Sequence, residues 1–471
     1  MNDFSTQPGW WRRTREFLTE ALRDNDEEFT TGPISRALGL LAIPMMLEMA
    51  MESIFAVVDI LFVSKLGTDA VAAVGITEAL VTVLYAVAIG LGMGITAMVS
   101  RRIGSKDAEG AARVTGQSLW VGLVLSIVIG LLGVTFARDL LALMGASDGV
   151  IEQGAGFTAV LLGGSFSIVY LFLLNAAFRG AGDATVALRS LWIANGINIV
   201  LDPCFIFGLG PFPEMGVTGA AVATTIGRGI GVAYQLWYLL NGRGRLHFAA
   251  KHLRFHGALA WRLVRISLGG IGQFLIATAS WIALMRIVAL FGSPAIAAYT
   301  IALRMMEFVF LPAWGLGNAA ATLVGQNLGA GQPERAEASA WRAAKYNVVF
   351  MTSTGVFLLV FAHTITGWFT LDPEVLRLGT TCMRILAIGF PLYAIGMTIV
   401  QAMNGAGDTE TPMTLNLVAF WLVQIPLAFF LATKVPFGAN GVFIAEVVAE
   451  SLLTILSIIV FRRGGWKTHA A

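Results

Sequence analysis

Twelve stretches of mostly apolar residues recur along the chain, near 38–63, 71–99, 117–136, 157–177, 186–207, 217–240, 266–290, 295–324, 347–367, 380–402, 412–432 and 440–461. A helix needs roughly 20 such residues to cross the hydrocarbon of a bilayer. The polar segments between the stretches are short, except the one at 241–265. This pattern predicts an all-α integral membrane protein with twelve transmembrane helices.

The pattern repeats itself. Slid by 225 positions, Gly67 falls on Gly292, Gly90 and Gly92 on Gly315 and Gly317, and Gly104 on Gly329. Gly180-Ala181-Gly182-Asp183 falls on Gly405-Ala406-Gly407-Asp408, and Gly216-Val217 on Gly441-Val442. Isolated glycines held in one register without a gap indicate duplication rather than shared hydrophobicity. Each half carries six spans, so both insert the same way up, as two parallel six-helix repeats around a central cavity. The expected organisation is an N-terminal arm at 1–36, a first half at 37–240, a basic linker at 241–265, a second half at 266–462 and a tail at 463–471.

Composition and charge then fix the setting. Of 471 residues, 56% are hydrophobic and 13% charged, and the mean hydropathy is +0.75. Soluble domains carry about 25% charged residues. The basic residues gather before the first span, after the second and eighth, between the sixth and seventh, and after the last. Lys65, Arg138, Arg377 and Lys434 are the few on the alternate side. Positive loops stay cytoplasmic, which places both termini in the cytoplasm of a multi-pass inner-membrane protein. The first 30 residues lack the apolar core of a signal peptide and read as a cytosolic, partly amphipathic arm (Trp10, Trp11, Phe17, Leu18, Leu22). The two cysteines, Cys204 and Cys382, make neither a disulfide framework nor a metal site.

Ionisable residues inside spans are costly and mark function by default. Glu48, Glu52 and Asp59 fall within about 40° of one another on the first span, so the stripe faces a cavity rather than lipid. Pro44 on the same side frees the carbonyl of Leu40. On the fifth span Asn198 and Asp202 lie one turn apart, beside Asn195, and Pro203 frees the carbonyl of Ile199. Both prolines are expected to break their helices where they line the cavity. Thr224 and Thr225 stand on the sixth span. Carboxylate, amide oxygen and hydroxyl are hard donors, suited to Na⁺ or a proton relay. The repeat sharpens this: Asp59, Asn198, Asp202 and Thr224 correspond to Leu284, Val423, Leu427 and Ala449, and Glu48 and Glu52 to Gln273 and Ala277. A polar set kept in one half only is better explained by function than by folding.

In the second half Arg304 and Glu307 are spaced i,i+3, which suits an internal salt bridge as well as a substrate contact. Glu446 and Glu450 on the twelfth span are candidates for a second site. Asp183 and Asp408 suit helix capping after the paired turns. His252 and His256 lie in the basic linker, where solvation is the expected state. No Walker A sequence or catalytic triad is present, so neither direct ATP drive nor an enzyme is expected, and no cofactor beyond a coupling ion.

These features resemble the multidrug and toxic compound extrusion family. The carrying residues are Pro44, the run Asp59 to Gly67, Asn175 to Asp183 (NAAFRGAGD), Asn198 to Pro203 (NIVLDP), Gly216 to Thr224 and Val324 to Gly331 (VGQNLGAG). The likeness covers about 33–462. It implies an antiporter that exports amphipathic, often cationic drugs as Na⁺ or H⁺ enters, by alternating access, as a monomer in contact with lipid and without nucleic acid. The branch with its ion site in the N-terminal half supplies matches at Asp59, Asp202, Asn198 and Thr224, with Na⁺ as one possible occupant, and at Asn175. Glu48, Glu52, Asn175, Asn195 and Glu307 are the expected substrate contacts. The branch with a coupling glutamate in the seventh span finds no acid at 274–283. A lipid-linked saccharide flippase would line its cavity with Arg and Lys to hold a pyrophosphate, whereas the expected cavity residues here are acidic. A receptor or scaffold would not need the one-sided carboxylates.

Overall fold

In the computed structural model, which describes residues 10–23 and 27–469, each apolar stretch is helical. The side chains of Trp10, Trp11, Arg13, Ala56, Val57, Asp59, Ile60, Ser64 and Thr68 lie outside that description. An arm helix, α1 (Trp10–Ala21), precedes the first span, α2 (Ile34–Val63). The first half continues with α3 (Thr68–Gly104), α4 (Ala108–Leu143), α5 (Asp148–Gly163), α6 (Ser165–Ala181), α7 (Ala184–Phe207) and α8 (Val217–Leu240). The second holds α9 (Gly257–Val288), α10 (Ser293–Gly329), α11 (Pro333–Gly367) and α12 (Pro373–Gly405). It ends with α13 (Glu410–Asn416), a π-helical stretch (Leu417–Gln424), α14 (Ile425–Thr433) and α15 (Ala439–Arg463).

Twelve spans result when α5–α6 is one bent crossing and α13 to α14 another. Ten helices among the described residues are long and apolar enough to cross a membrane, eleven with the bent pair. The remaining one, α8, has 24 residues, about 36 Å at 1.5 Å per residue; Arg228, Gln235 and three threonines dilute its apolar run. The offset of 225 carries α3 onto the bounds of α10, and α4 to within one residue of α11.

The paired turns explain themselves through backbone geometry. Gly182 (φ 94°) ends α6, and Gly407 (φ 89°) follows α12. A left-handed φ favours glycine at a helix C-terminus. The aspartates beside them differ. Asp408 Oδ1 accepts from Thr411 N at 3.2 Å, as a cap does, whereas Asp183 makes no cap. Its Oδ2 accepts instead from the backbone of Arg245 at 2.9 Å, which pins the linker.

The halves meet through backbone. In α3 and α10 a Cβ on Gly104 would lie 1.9 Å from Gln326 O, and one on Gly329 would lie 1.9 Å from Arg101 O. Nearer mid-span, Gly90 stands against Ile271 and Gly315 against Met45 and Met46 in the same reciprocal way. The isolated glycines keep register because helices from opposite halves touch there. The α3–α10 crossing lies on the face that carries both chain ends, where Arg335 donates to Thr31 O (2.9 Å) and Arg101 to His469 O. Leu41 and Met45 pack with Leu316 and Leu323 in an apolar cluster shared by the two halves.

Several expectations change. Neither Pro44 nor Pro203 breaks its helix: α2 and α7 run through them. A proline removes one hydrogen bond, and neighbouring helices hold the rest. The sharp bend falls in the fourth span instead, 41° between α5 and α6. There Gly163-Gly164-Ser165 gives the chain little side chain to resist it. The linker is docked at His252 and exposed at His256. His252 is 2% exposed and its ring faces Glu109 (3.1 Å). Trp120 and Gln117 of α4 donate to the carbonyls of Leu253 and Arg254.

Candidate functional site

A cavity of about 280 Å³ lies between the halves, and Glu48, Glu52, Asn175, Arg179, Tyr85 and Trp314 are among its lining. The stripe on α2 aims Glu48 and Glu52 into it, but both carboxylates meet arginines. Glu48 is 1% exposed. Its Oε1 accepts from Asn175 Nδ2 and from Arg179 Nη1, each at 3.0 Å. Asn175 Oδ1 accepts in turn from Ser190 Oγ at 3.1 Å and from Gln235 Nε2. Glu52 takes Asn195 Nδ2 at 3.4 Å, and Arg228 Nη2 lies 3.8 Å from its other oxygen. The Arg228 guanidinium sits over Phe55 and Tyr85, 5.9 and 5.7 Å from the ring centres.

The acidic cavity expected from α2 is therefore balanced by cations. Charge buried in pairs costs less than charge buried alone. Arg228 was readable as a signal in its own right, because it stands in the middle of an apolar span. Arg179 falls one turn inside α6, where the sequence suggested a connecting segment.

The repeat preserves the geometry of one pair without its charge. Positions 48 and 179 correspond to 273 and 404, and Gln273 Nε2 donates to Asn404 Oδ1 at 2.9 Å. The contact belongs to the fold; the charge belongs to the first half alone.

A second polar cluster lies between α7 and α8. Asn198 Nδ2 donates to Thr224 Oγ1 at 3.0 Å and to Asp202 Oδ1 at 3.3 Å. Asp202 is fully buried and Asn198 2% exposed. Asn198 Oδ1 has no hydrogen-bond partner, an unusual cost for a buried carbonyl oxygen. Hence Asn198 and Asp202, one turn apart on α7, meet Thr224 of α8. Asp59 stands two turns beyond Glu52 on α2, and its side chain lies outside the described residues. Glu307 lies apart: it is exposed, pairs with Arg304 at 3.4 Å, and does not line this cavity. Among the described residues no three His, Cys, Asp or Glu side chains converge as a metal cluster.

The sequence and the fold are similar to those of known proteins. The MatE family model matches residues 44–204 and 271–430, one segment in each half. The probable multidrug resistance protein YoeA of Bacillus subtilis is 27% identical over 439 residues, covering 92% of this chain and 94% of the relative. The FAD transporter of Shewanella oneidensis is 27% identical over 433 residues, 92% of this chain and 95% of that one. A solved outward-facing multidrug resistance MATE family transporter of the MOP superfamily superposes with a TM-score of 0.88 at 26% identity, covering 95% of this chain and all of the other.

Proposed function

The chain belongs to the MatE family of membrane transporters, and on that premise we propose that it is a secondary active antiporter that exports amphipathic cations as Na⁺ or H⁺ enters. The observation that carries this reading is the buried Asp202–Asn198–Thr224 cluster, whose counterparts in the second half are apolar. Asp59, two turns along α2 from Glu52, completes the proposed coupling site. Glu48, Glu52, Asn175 and Asn195 form the substrate wall. The protein sits in the inner membrane with both termini cytoplasmic, by the distribution of basic residues. The α3–α10 crossing then seals the cytoplasmic side, which supports an outward-facing state, in keeping with the solved relative of that conformation.

Coupling follows from charge. An ion or proton at Asp202 neutralises a carboxylate that is out of water, and α2 and α7 can then approach and narrow the cavity. Linkage requires that bound drug weaken ion binding by the same factor. Efflux of ethidium from proteoliposomes, with Na⁺ and proton gradients imposed separately, tests the reading. One gradient should drive efflux in the wild type and neither in Asp202→Asn. Equal efflux with no gradient would refute it.

Arg179 and Arg228 favour a second reading, in which the substrate carries phosphate groups. It draws on the relative named an FAD transporter, and a flippase of lipid-linked saccharides would use the same cations. Competition of FAD against ethidium in that assay separates the two.

A further inference from the structure

A second cavity, of about 270 Å³, adjoins the first on the side of the C-terminal half and shares Met93, Phe274, Trp314 and Gln401 with it. Five rings line it: Phe274, Phe310, Trp314, Tyr393 and Phe420. Phe274 stacks on Trp314 with centroids 5.2 Å apart, and Phe310 lies 6.2 Å from Tyr393. One carboxylate, Glu450 of α15, completes the lining. Glu446, one turn earlier, accepts from Tyr299 Oη at 3.0 Å. Neither glutamate has an ion-pair partner among the described residues, unlike Glu48 and Glu52.

Two further polar groups in this wall are unsatisfied. Tyr393 is 5% exposed and Asn416 8%, and neither Tyr393 Oη nor Asn416 Oδ1 has a hydrogen-bond partner. Asn416 and Phe420 flank and occupy the π-helical stretch, a distortion that re-aims side chains and is common at functional sites. The equivalents of Glu450, Tyr393, Asn416 and Phe420 in the first half are Thr225, Ile168, Leu191 and Asn195. As with the coupling cluster, the set exists in one half only.

We propose that this cavity seats the cationic centre of an amphipathic organic substrate, with Glu450 as its counter-charge and the five rings as its walls. Ring faces attract a desolvated cation, and an unpaired carboxylate in a low-dielectric site attracts it more strongly than in water. A permanently charged, lipophilic cation suits the site best, because it gives up little hydration on entry. The role in export rests on the antiport reading above; the binding does not.

The test is equilibrium dialysis of tetraphenylphosphonium against the purified full chain in detergent at pH 8, with and without Na⁺. Glu450→Gln should weaken binding about tenfold or more, and Phe420→Leu about fivefold. Glu374→Gln, the same charge change at an exposed helix start, should stay within about twofold of the wild type. Glu450→Gln and Phe420→Leu both within twofold, in monodisperse protein, would overturn the proposal. So would a Glu450→Gln protein that loses only an effect of Na⁺, since the site would then hold an inorganic ion. If Glu450→Gln does not purify, Phe420→Leu decides alone. Glu450-dependent binding without gradient-driven ethidium efflux would sustain this site and sink the antiporter. Efflux with binding indifferent to both substitutions would do the reverse.

Discussion

Glu48 is almost completely buried, and Arg179 is its ion-pair partner at 3.0 Å. Removing one partner of a buried pair costs about 3 kcal/mol or more, because the other charge stays behind. Arg179→Asn should therefore lower the melting temperature in detergent by several degrees. Adding Glu48→Gln copies the amide pair that the second half uses at 273 and 404, and should recover most of that loss. An unchanged melting temperature in Arg179→Asn would show that the pair contributes nothing. Asp202→Asn belongs to the other cluster. Equilibrium ethidium affinity should fall in the wild type as Na⁺ rises or pH drops, and be nearly indifferent to both in the variant. Asp202 and Asn198 were legible because an i,i+4 pair of polar residues stands out in an apolar span. Tyr393, Asn416 and the ring-lined cavity were not, since aromatic residues in a membrane helix look alike whether they face lipid, core or void.

Whole elements obey backbone contacts more than composition. The bend between α5 and α6 escaped notice because Gly163-Gly164 adds nothing to a hydropathy profile, while Pro44 and Pro203 advertised breaks that packed neighbours suppress. The α3–α10 crossing makes a sharper demand. A side chain at Gly104 or Gly329 would collide with a backbone carbonyl that has no rotamer to change. Gly104→Val should hold the crossing apart, cut gradient-driven efflux at least about tenfold, and expose a cysteine at position 100 to a membrane-impermeant thiol reagent. Wild-type efflux and protection in that variant would show that the crossing is not a seal. The arm is fastened at several points, among them Arg36 to Glu20 and Glu27 and Arg335 to the carbonyls of Phe29 and Thr31. The hydrogen bond from Lys106 to Glu28, with another from Thr30, holds that carboxyl below the ordinary range. A depressed value gives attachment that is complete above the free-glutamate range near 4.5 and lost as pH falls through the lowered one. A spin label at position 31 should be less mobile at pH 7 than at pH 3.5, and Lys106→Ala should shrink the difference, leaving the part that the Arg36 pairs with Glu20 and Glu27 supply.

At the scale of the whole molecule, the offset of 225 described more than any single motif. It anticipated the bounds of α10 and α11 to within a residue because both halves fold to the same backbone, and it exposed the unequal charge, but it missed the π-helical stretch, the bent span and the start of α15, three residues earlier than the offset places it. If each half is a folding unit, residues 1–250 and 251–471 produced as two chains should assemble in the membrane and recover ethidium efflux. Failure to co-purify would show that the docked linker is needed to join them. The α3–α10 crossing gives this a historical reading. Arg101 of one half touches Gly329 of the other, and Gln326, the counterpart of Arg101, touches Gly104, the counterpart of Gly329. Such reciprocity is the mark of an isologous contact, the kind two identical subunits make about a two-fold axis. A separate six-helix ancestor would already have carried both sides of its own dimer seal, and any mutation there would have struck twice. Fusion released the two copies from that bond, and the divergence of Ser100 from Gly325 and of Arg101 from Gln326 records the freedom each copy has since used.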